Sequence, residues 1–412
     1  MMAYHLKIRI VRLLFLLGIF LFSISLIVPF NLRNIPTYIF SLIILMVFPS
    51  IKHLKVLKSK LLFVNSLFFF VMLTSLSYSS DTDFGFTRML VFLPILITPL
   101  SFYLTKANLI VITNKQLRLF YLSFFVATIL FLVGIFVHNY MNGYLNQSIF
   151  IHFPNRMNIG YGKYSMHPIY MSLYVSVAMI LSIPLIEETK NIKQQILIIF
   201  GVIFLAFVLL MLARKGTLIV TFLIFTFYFL KKRRQFKHNL IIGFGLLLSL
   251  VLLFTIDPLR VRFLELWNAI FHNNNAVLGS TSMRIHIFNC AFENIIKRPL
   301  FGYGIGDVKS ILEHCFSVHK NIFKGAYFNS HNQYLSTWLA AGTFGVISLS
   351  GMLFYNLKNA LTNKNLTSAA ILILFIIVML TENILERQDG VLLFSFFINF
   401  FAFYKRNQEI IL

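Results

Sequence analysis

Long apolar runs recur along the whole chain, and they constrain the fold more than any other feature of the sequence. Each run has about the 20 residues that a helix needs to cross roughly 30 Å of hydrocarbon. The runs are continuous and do not alternate with polar residues, which disfavours a β-barrel. They fall at 11–30, 35–51, 61–77, 86–104, 118–137, 168–186, 195–213, 216–230, 239–256, 333–357, 367–385 and 391–404. The sequence therefore predicts an all-α fold, a polytopic transmembrane bundle of about 12 spans.

The distribution of charge predicts how the bundle is oriented. Charged residues make up only 12% of the chain, against about 25% in a soluble domain. The formal net charge of +23 does not indicate a nucleic-acid partner, because no compact basic domain is visible. Lys and Arg instead cluster in short gaps such as 52–60 and 231–238, and the opposite gaps, such as 78–85, are poor in them. The positive-inside rule then predicts that both termini are cytoplasmic, with the basic gaps contacting anionic lipid.

Three regions follow from this topology. Residues 1–256 hold nine spans and an outer loop near 138–166. Residues 257–332 form a large outer loop, and residues 333–412 hold three spans and a short cytoplasmic tail. The first run, 11–30, could pass for a signal peptide, but it is long and lacks a clear small-x-small cleavage site. We therefore expect it to be an uncleaved helix.

The large outer loop carries a predicted helix over 281–297. Four apolar side chains share one face of this helix at helical spacing: Ile285, Phe288, Phe292 and Ile295. A glycine-rich turn follows at 300–307, and the loop also holds both cysteines of the chain, Cys290 and Cys315. Outside the cytoplasm a disulfide between them is allowed, but two reduced, buried thiols fit the spacing equally well.

The region 195–230 is too long to be one span. As a single helix it would measure about 54 Å at 1.5 Å per residue. The only interruption is Ala213-Arg214-Lys215-Gly216, and Gly216 suits a tight turn there. Two spans joined by this turn place Arg214 and Lys215 on the outer side. An arginine at membrane depth is costly, so Arg214 either has an anionic partner or snorkels to the surface.

The sequence lacks the signatures of several kinds of active site. It contains no Walker A loop, no HExxH or CxxC spacing, no nucleophile elbow and no paired-carboxylate signature of a glycosidase. Charges in the middle of the spans are scarce, which disfavours an ion-coupled transporter. We therefore expect neither a metal nor a cofactor.

The candidates for chemistry in the sequence are a set of cations and histidines on the outer side. Each has a structural interpretation of its own: Arg284 as a surface charge, His331 as a polar cap before a span, and His167 as a helix start before Pro168. Together they make chemical sense. Two arginines and a lysine can clamp a pyrophosphate, and a histidine can take a proton from an attacking hydroxyl. A held pyrophosphate is a good leaving group, so no metal is strictly required.

Three motifs give the chain a resemblance to the O-antigen ligase and polymerase superfamily of bacterial inner-membrane glycosyltransferases. One is the arginine in the short outer turn, Arg214, although Ala213 stands where the family often has a small hydroxyl residue. The other two are an arginine opening a loop helix before P-x-x-G-x-G, and His-Asn before a helix with a small-residue turn. In this chain the first of these two motifs is Arg284 followed by Pro299-Leu300-Phe301-Gly302-Tyr303-Gly304. The second is His331-Asn332-Gln333 followed by Ala341-Gly342-Thr343-Phe344-Gly345.

The resemblance implies a GT-C-like fold and a site that faces the periplasm. The reaction it implies is transfer of a glycan from undecaprenyl pyrophosphate to a hydroxyl, with inversion and without metal or nucleotide sugar. The acceptor is a lipid A-core sugar in ligases and the growing glycan in polymerases. Arg214 and Arg284 would hold the pyrophosphate, and His331 would be the catalytic base. Lys215, His167, Asn332 and Glu382 are second-tier candidates.

Ligase is the first hypothesis, and repeat-unit polymerase is the alternative within the superfamily, because the two share their chemistry. A protein O-oligosaccharyltransferase ranks lower, since those enzymes usually carry a longer C-terminal part. A transporter or flippase for a lipid-linked sugar would predict internal two-fold similarity and charges through mid-span. Neither is evident in the sequence.

Overall fold

The computed structural model describes residues 2–47, 59–107, 110–143, 153, 162–231, 260, 280–318 and 328–404. The regular elements in these ranges are helices, and no strand occurs among them, which confirms the all-α prediction for this part of the chain. We number the α-helices in chain order as α1 Met2–Ser23, α2 Ile35–Val47, α3 Lys60–Leu76, α4 Thr82–Ala107, α5 Asn114–Met141, α6 Pro168–Glu188, α7 Ile192–Leu212, α8 Lys215–Lys231, α9 Ser280–Lys297, α10 Val308–Val318, α11 Gln333–Thr362, α12 Leu366–Val378 and α13 Gln388–Phe403.

Six helical segments in the described ranges are long and apolar enough to cross a membrane: Phe30–Val47, α4, α5, α6, α7 and α11. Helices α3, α8, α12 and α13 are apolar but shorter. The first predicted span, 11–30, is not one continuous helix, because α1 ends at Ser23 and 3-10 turns lead to Pro29, which lacks the N–H that a continuing helix needs. The span predicted at 239–256 lies outside the described residues, so the count of twelve stays a prediction.

The turn between α7 and α8 is tight, because only Ala213 and Arg214 separate the two helices. Helix α7 ends at Leu212, and Ala213 closes it in the left-handed conformation, with φ 50° and ψ 34°. The sequence predicts that Gly216 forms this turn, but Gly216 lies in the first turn of α8. A Cβ atom on Gly216 would come within 2.7 Å of the hydroxyl oxygen of Thr381. Gly216 therefore allows α8 to approach the segment that follows α12.

The core of the bundle is built around α6 and α13, whose side chains are mostly buried. Phenylalanine dominates the contacts between them and their neighbours. Phe396 of α13 stacks on Phe22 of α1 with ring centroids 3.6 Å apart, and Phe124 of α5 stacks on Tyr174 of α6 at 5.8 Å. Because lipid is as apolar as these rings, such packing and not the hydrophobic effect holds the helices together.

A chain of buried amides also crosses the bundle. Asn356 of α11 donates to the side chain of Asn65 in α3 at 2.6 Å, and Asn65 donates to Asn399 of α13 at 2.7 Å. Asn399 in turn donates to Thr98 of α4 at 3.2 Å. In hydrocarbon an unpaired amide is costly, so this chain ties four helices in one register.

Helices α9 and α10 form a small layer with its own apolar core against the start of α11. A disulfide joins Cys290 of α9 to Cys315 of α10. The predicted apolar face of α9 is confirmed only in part. Ile295 is buried and Phe288 packs against this core, but Ile285 and Phe292 are 49% and 46% exposed, whereas Ile287 is buried. The disulfide partner sets this rotation, because it turns the side of α9 that carries Cys290 towards α10.

The glycine-rich turn at 300–307 docks into a break in α11. The backbone N–H groups of Tyr303 and Gly304 donate to the carbonyls of Leu339 and Ala340 at 2.8 and 2.9 Å. Gly342 makes the break, with φ 59° and ψ −156°, a conformation that essentially only glycine adopts. The turn thereby fixes α11 relative to the α9–α10 layer.

Candidate active site

The start of α11 presents His331 in an unusual backbone conformation. Its φ is 45°, in the left-handed region that a histidine rarely occupies. Asn332 is the N-cap of α11, and its side-chain oxygen accepts from the N–H groups of Tyr334 and Leu335 at 2.9 and 3.1 Å. The cap fixes the helix start, and the residue directly before the cap carries the imidazole. Strain of this kind concentrates at functional sites.

The segment 379–387, between α12 and α13, is bonded to this helix start along its length. The N–H of Gln333 donates to the carbonyl of Met379 at 2.8 Å. The side-chain oxygen of Gln333 accepts from the N–H of Leu385 at 2.8 Å, and Asn332 donates to the carbonyl of Leu380 at 3.0 Å. Glu382 lies midway between Met379 and Leu385, and its side chain is 12% exposed.

Glu382 bridges two of the predicted site residues. Arg284 of α9 donates from Nη2 to Oε1 of Glu382 at 2.7 Å. Nδ1 of His331 lies 3.5 Å from Oε2 of the same carboxylate. The structure therefore brings together Arg284 and His331, which are 47 positions apart in the sequence, through a residue that follows both.

Arg214 completes the cluster from the α7–α8 turn. Burial raises the pKa of Glu382, but His331, Arg284 and Arg214 outweigh burial and hold it below its usual value. The carboxylate is therefore ionised at neutral pH, surrounded by cationic groups. Lys215 is the first residue of α8 and is half-buried beside Arg214.

The O-antigen ligase family model matches residues 199–350. Within this range the chain is similar to proteins of the O-antigen ligase family. The matched range includes Arg214, Arg284 and His331, whereas Glu382 lies beyond it. No curated protein matches the chain.

His167 lies at the edge of the candidate site and also caps a helix. Its Nδ1 accepts from the N–H of Ile169 at 3.4 Å at the start of α6. Burial, Arg214 and Arg387 lower the pKa of His167 to about 4, and His331 acts in the same direction. The ring is therefore neutral at physiological pH, which suits the structural role predicted for it.

Sequence reasoning missed Arg387 and Thr381. Arg387 is the residue before α13, and its charge reaches His167. Thr381 supplies the contact with Gly216 that brings the α7–α8 turn to Glu382. The signal that could have found them is the polar run Thr381-Glu382-Asn383 to Arg387-Gln388-Asp389, since a polar segment between two apolar spans is costly unless it has partners. Among the described residues, no three His, Cys, Asp or Glu side chains cluster as metal ligands.

Proposed function

We propose that the chain is a glycosyltransferase of the O-antigen ligase type. It transfers a glycan from undecaprenyl pyrophosphate to a hydroxyl of a lipid A-core sugar, at the periplasmic face of the bacterial inner membrane. The observation that carries the proposal is the convergence of Arg284 and His331 on the two oxygens of Glu382. Neither a scaffold nor a flippase requires a carboxylate that orients an imidazole between cations.

In the proposed reaction the acceptor hydroxyl oxygen attacks the anomeric carbon of the donor glycan. A new C–O bond forms while the bond between that carbon and the phosphate oxygen breaks, and the lipid pyrophosphate leaves with the electron pair. His331 takes the hydroxyl proton at Nε2, because its Nδ1 faces Glu382. The ionised Glu382 stabilises the positive charge that the ring gains, the arrangement of base and orienting group that activates other nucleophiles. Attack opposite the leaving group inverts the anomeric centre.

Arg284 and Arg214 hold the leaving pyrophosphate in this proposal. A guanidinium has five N–H donors, and Arg284 donates to Glu382 through Nη2. Its other donors can bind phosphate oxygens without breaking the ion pair with Glu382. Arg214, Lys215 and Arg387 add positive charge on the same side, which stabilises the charge that develops on the leaving group and replaces a metal in this role.

The topology belongs to the same proposal. Both termini are cytoplasmic, residues 257–332 form the large periplasmic loop, and the site faces the periplasm. This orientation of the termini and loops places the gaps rich in Lys and Arg on the cytoplasmic side, as the positive-inside rule requires.

Deletion of the gene, followed by electrophoresis of lipopolysaccharide, tests the proposal. Loss of a ligase leaves core lipid without attached chains, while polymeric glycan accumulates on the carrier lipid. Core bearing a single repeat would instead identify the chain as a polymerase, and unchanged lipopolysaccharide would refute both.

Complementation with variants then tests the site. His331→Ala should give the deletion phenotype at normal protein level, whereas His314→Ala, an exposed histidine of α10, should complement fully. Arg284→Lys should complement poorly, because lysine cannot both keep the ion pair and offer a planar fork to phosphate. Arg298→Lys, an exposed arginine beyond α9, is its matched control. Normal lipopolysaccharide from His331→Ala would remove His331 from the mechanism.

A further inference from the structure

A cavity of about 310 Å³ lies beside the candidate site, between α4, α10 and α11. Its lining includes Asn329 and Glu386, which belong to the same two segments that carry His331 and Glu382. The mechanism proposed above does not use this cavity. Its volume is at the lower end of the range for small-molecule sites, about 300–1,000 Å³, so it suits a single sugar unit better than a lipid chain.

Asn329 links the lining of the cavity to His331. Asn329 accepts the backbone N–H of His331 at 3.0 Å and donates from Nδ2 to Oε2 of Glu386 at 2.5 Å. Asn383, next to Glu382, donates to the other oxygen of Glu386 at 2.9 Å. A group bound in the cavity would therefore lie next to the residues that position the imidazole.

The charges that line the cavity sum to zero. Lys309 forms an ion pair with Glu313 at 3.6 Å, and Arg88 donates to the carbonyl of Glu386 at 2.5 Å. The described lining thus holds two cations and two carboxylates, and both oxygens of Glu386 accept amide hydrogen bonds. Nothing there favours a highly charged anion, in contrast to the cationic cluster around Glu382.

The remaining lining combines aromatic faces with hydrogen-bonding groups. Phe84, Phe92 and Phe328 contribute rings, and Ser336 and Thr337 of α11 contribute hydroxyls. A pyranose has apolar C–H faces, which pack on aromatic rings, and a rim of hydroxyls, which pair with fixed amide, hydroxyl and carboxylate groups. Apolar walls with a few convergent polar groups are typical of binding sites that fix the orientation of a ligand.

We propose that this cavity binds an uncharged sugar residue of a glycan substrate, adjacent to the bond that reacts. The inference rests on the proposed function, because the glycan is the substrate of that reaction. The sugar belongs either to the donor or to the acceptor, and the two share the chemistry that the cavity recognises. Pyrophosphate binds separately, at Arg284 and Arg214.

Kinetics of a cavity-filling variant identify the source of the sugar. Lipid-linked glycan and core lipid are extracted from cells that lack this gene and are supplied to the purified protein in nanodiscs. Ser336→Leu should raise KM about tenfold or more, equivalent to about 1.4 kcal/mol of lost binding. A rise confined to core lipid assigns the sugar to the acceptor, and a rise confined to lipid-linked glycan assigns it to the donor. Ser350→Leu, a half-buried serine further along α11 and outside the lining, should leave both values unchanged. Wild-type KM values in an active Ser336→Leu variant would overturn the inference.

Thiol labelling tests binding without any need for turnover. The two cysteines of the chain pair with each other, so Ser336→Cys adds the single free thiol. Its reaction with a water-soluble maleimide should slow about tenfold when oligosaccharide released by mild acid from the extracted lipids is present at ten times its Kd. Inorganic pyrophosphate should not slow it, and Ser317→Cys, on the exposed face of α10, should react equally with and without sugar. Protection by pyrophosphate alone, or by neither probe, would overturn the inference.

The two tests separate this inference from the proposed function. If the wild-type protein transfers glycan but the cavity variants behave as wild type, only the sugar site is refuted. If the wild-type protein transfers nothing while oligosaccharide protects the thiol of Ser336→Cys, the cavity binds sugar and the transferase proposal fails.

Discussion

Acidification should destabilise this protein through His167. The folded state lowers the pKa of His167 to about 4, through burial, Arg214 and Arg387, whereas an unfolded histidine titrates near 6.5. Between these two values the unfolded chain binds a proton that the folded chain does not. Stability therefore rises with pH across this window, and it falls as the pH is lowered from about 6.5 towards 4.

The size of the effect follows from the two pKa values. Between pH 7 and pH 5 the linkage relation gives a loss of about 2 kcal/mol of unfolding free energy. The ring is only half-buried, so solvent screening reduces this to about 1–2 kcal/mol. Protonation of Nδ1 also removes the acceptor for the N–H of Ile169, which acts in the same direction because an N-cap is worth about 1 kcal/mol.

Thermal unfolding in nanodiscs at pH 7 and pH 5 measures this effect. His167→Asn keeps an N-capping side chain but cannot take a proton, so its Tm should fall less than that of the wild type between the two pH values. His314→Asn, at an exposed position on α10, should keep the wild-type pH dependence. If wild type and His167→Asn lose the same stability between pH 7 and pH 5, the reasoning about His167 is refuted.

Three further substitutions test separate parts of the structure. Glu382→Gln should lower the rate of glycan transfer about 100-fold or more, which is within the range that general base catalysis supplies. The KM for the donor should change little. Full activity in a transfer assay would contradict the orienting role of Glu382. Gly342→Ala should lower the free energy of unfolding by more than about 1–3 kcal/mol in a thermal unfolding measurement, because its Cβ would overlap the carbonyl of Leu300. Gly351→Ala is the control: a Cβ there meets open space, so the substitution should be neutral or stabilising. Asn399→Leu should cost about 1 kcal/mol by the same measurement, and an unchanged Tm would mean that the amide chain adds nothing to helix packing.

The helices were the most predictable part of this protein. A membrane helix must satisfy its backbone internally, so apolar length alone locates it, and the break at 213–216 follows from the length of a bilayer. The details within a segment were less predictable. The sequence predicts that Gly216 belongs to the turn, yet Ala213 adopts the left-handed conformation and Gly216 instead allows the close approach of Thr381.

The rotation of α9 shows why a helical face is hard to assign from spacing. Ile285 and Phe292 have the right period, but so do Ile287 and Ala291, and both of these are buried. What separates the two faces is the disulfide from Cys290 to Cys315, which the spacing of the cysteines left undecided. At the border of a membrane an exposed apolar side chain costs little, so the hydrophobic pattern carries less information than in a soluble domain.

The site itself could be predicted only as separate residues. His331, Arg284 and Glu382 lie in three different segments, and the carboxylate that joins them follows Arg284 by 98 positions. The sequence makes Glu382 only a second-tier candidate, because a glutamate near a helix end can either orient an arginine or simply be solvated. Its partners became visible only when the fold brought the ends of α9, α11 and α12 together.

The consecutive residues His331, Asn332 and Gln333 explain how such a dispersed site keeps its geometry. Asn332 caps α11 and bonds to Leu380, while Gln333 bonds to Met379 and Leu385, on either side of Glu382. One of these bonds joins two backbone groups, and in the other two the side chains of Asn332 and Gln333 bond to backbone groups of the facing segment. Several bonds between two segments therefore set the distance from His331 to Glu382. The sequence motif therefore combines a reacting residue, a helix cap and a clamp on the orienting carboxylate. It follows that changes at Gln333 should disturb the orientation of the imidazole as much as changes at Glu382, although Gln333 itself contacts neither.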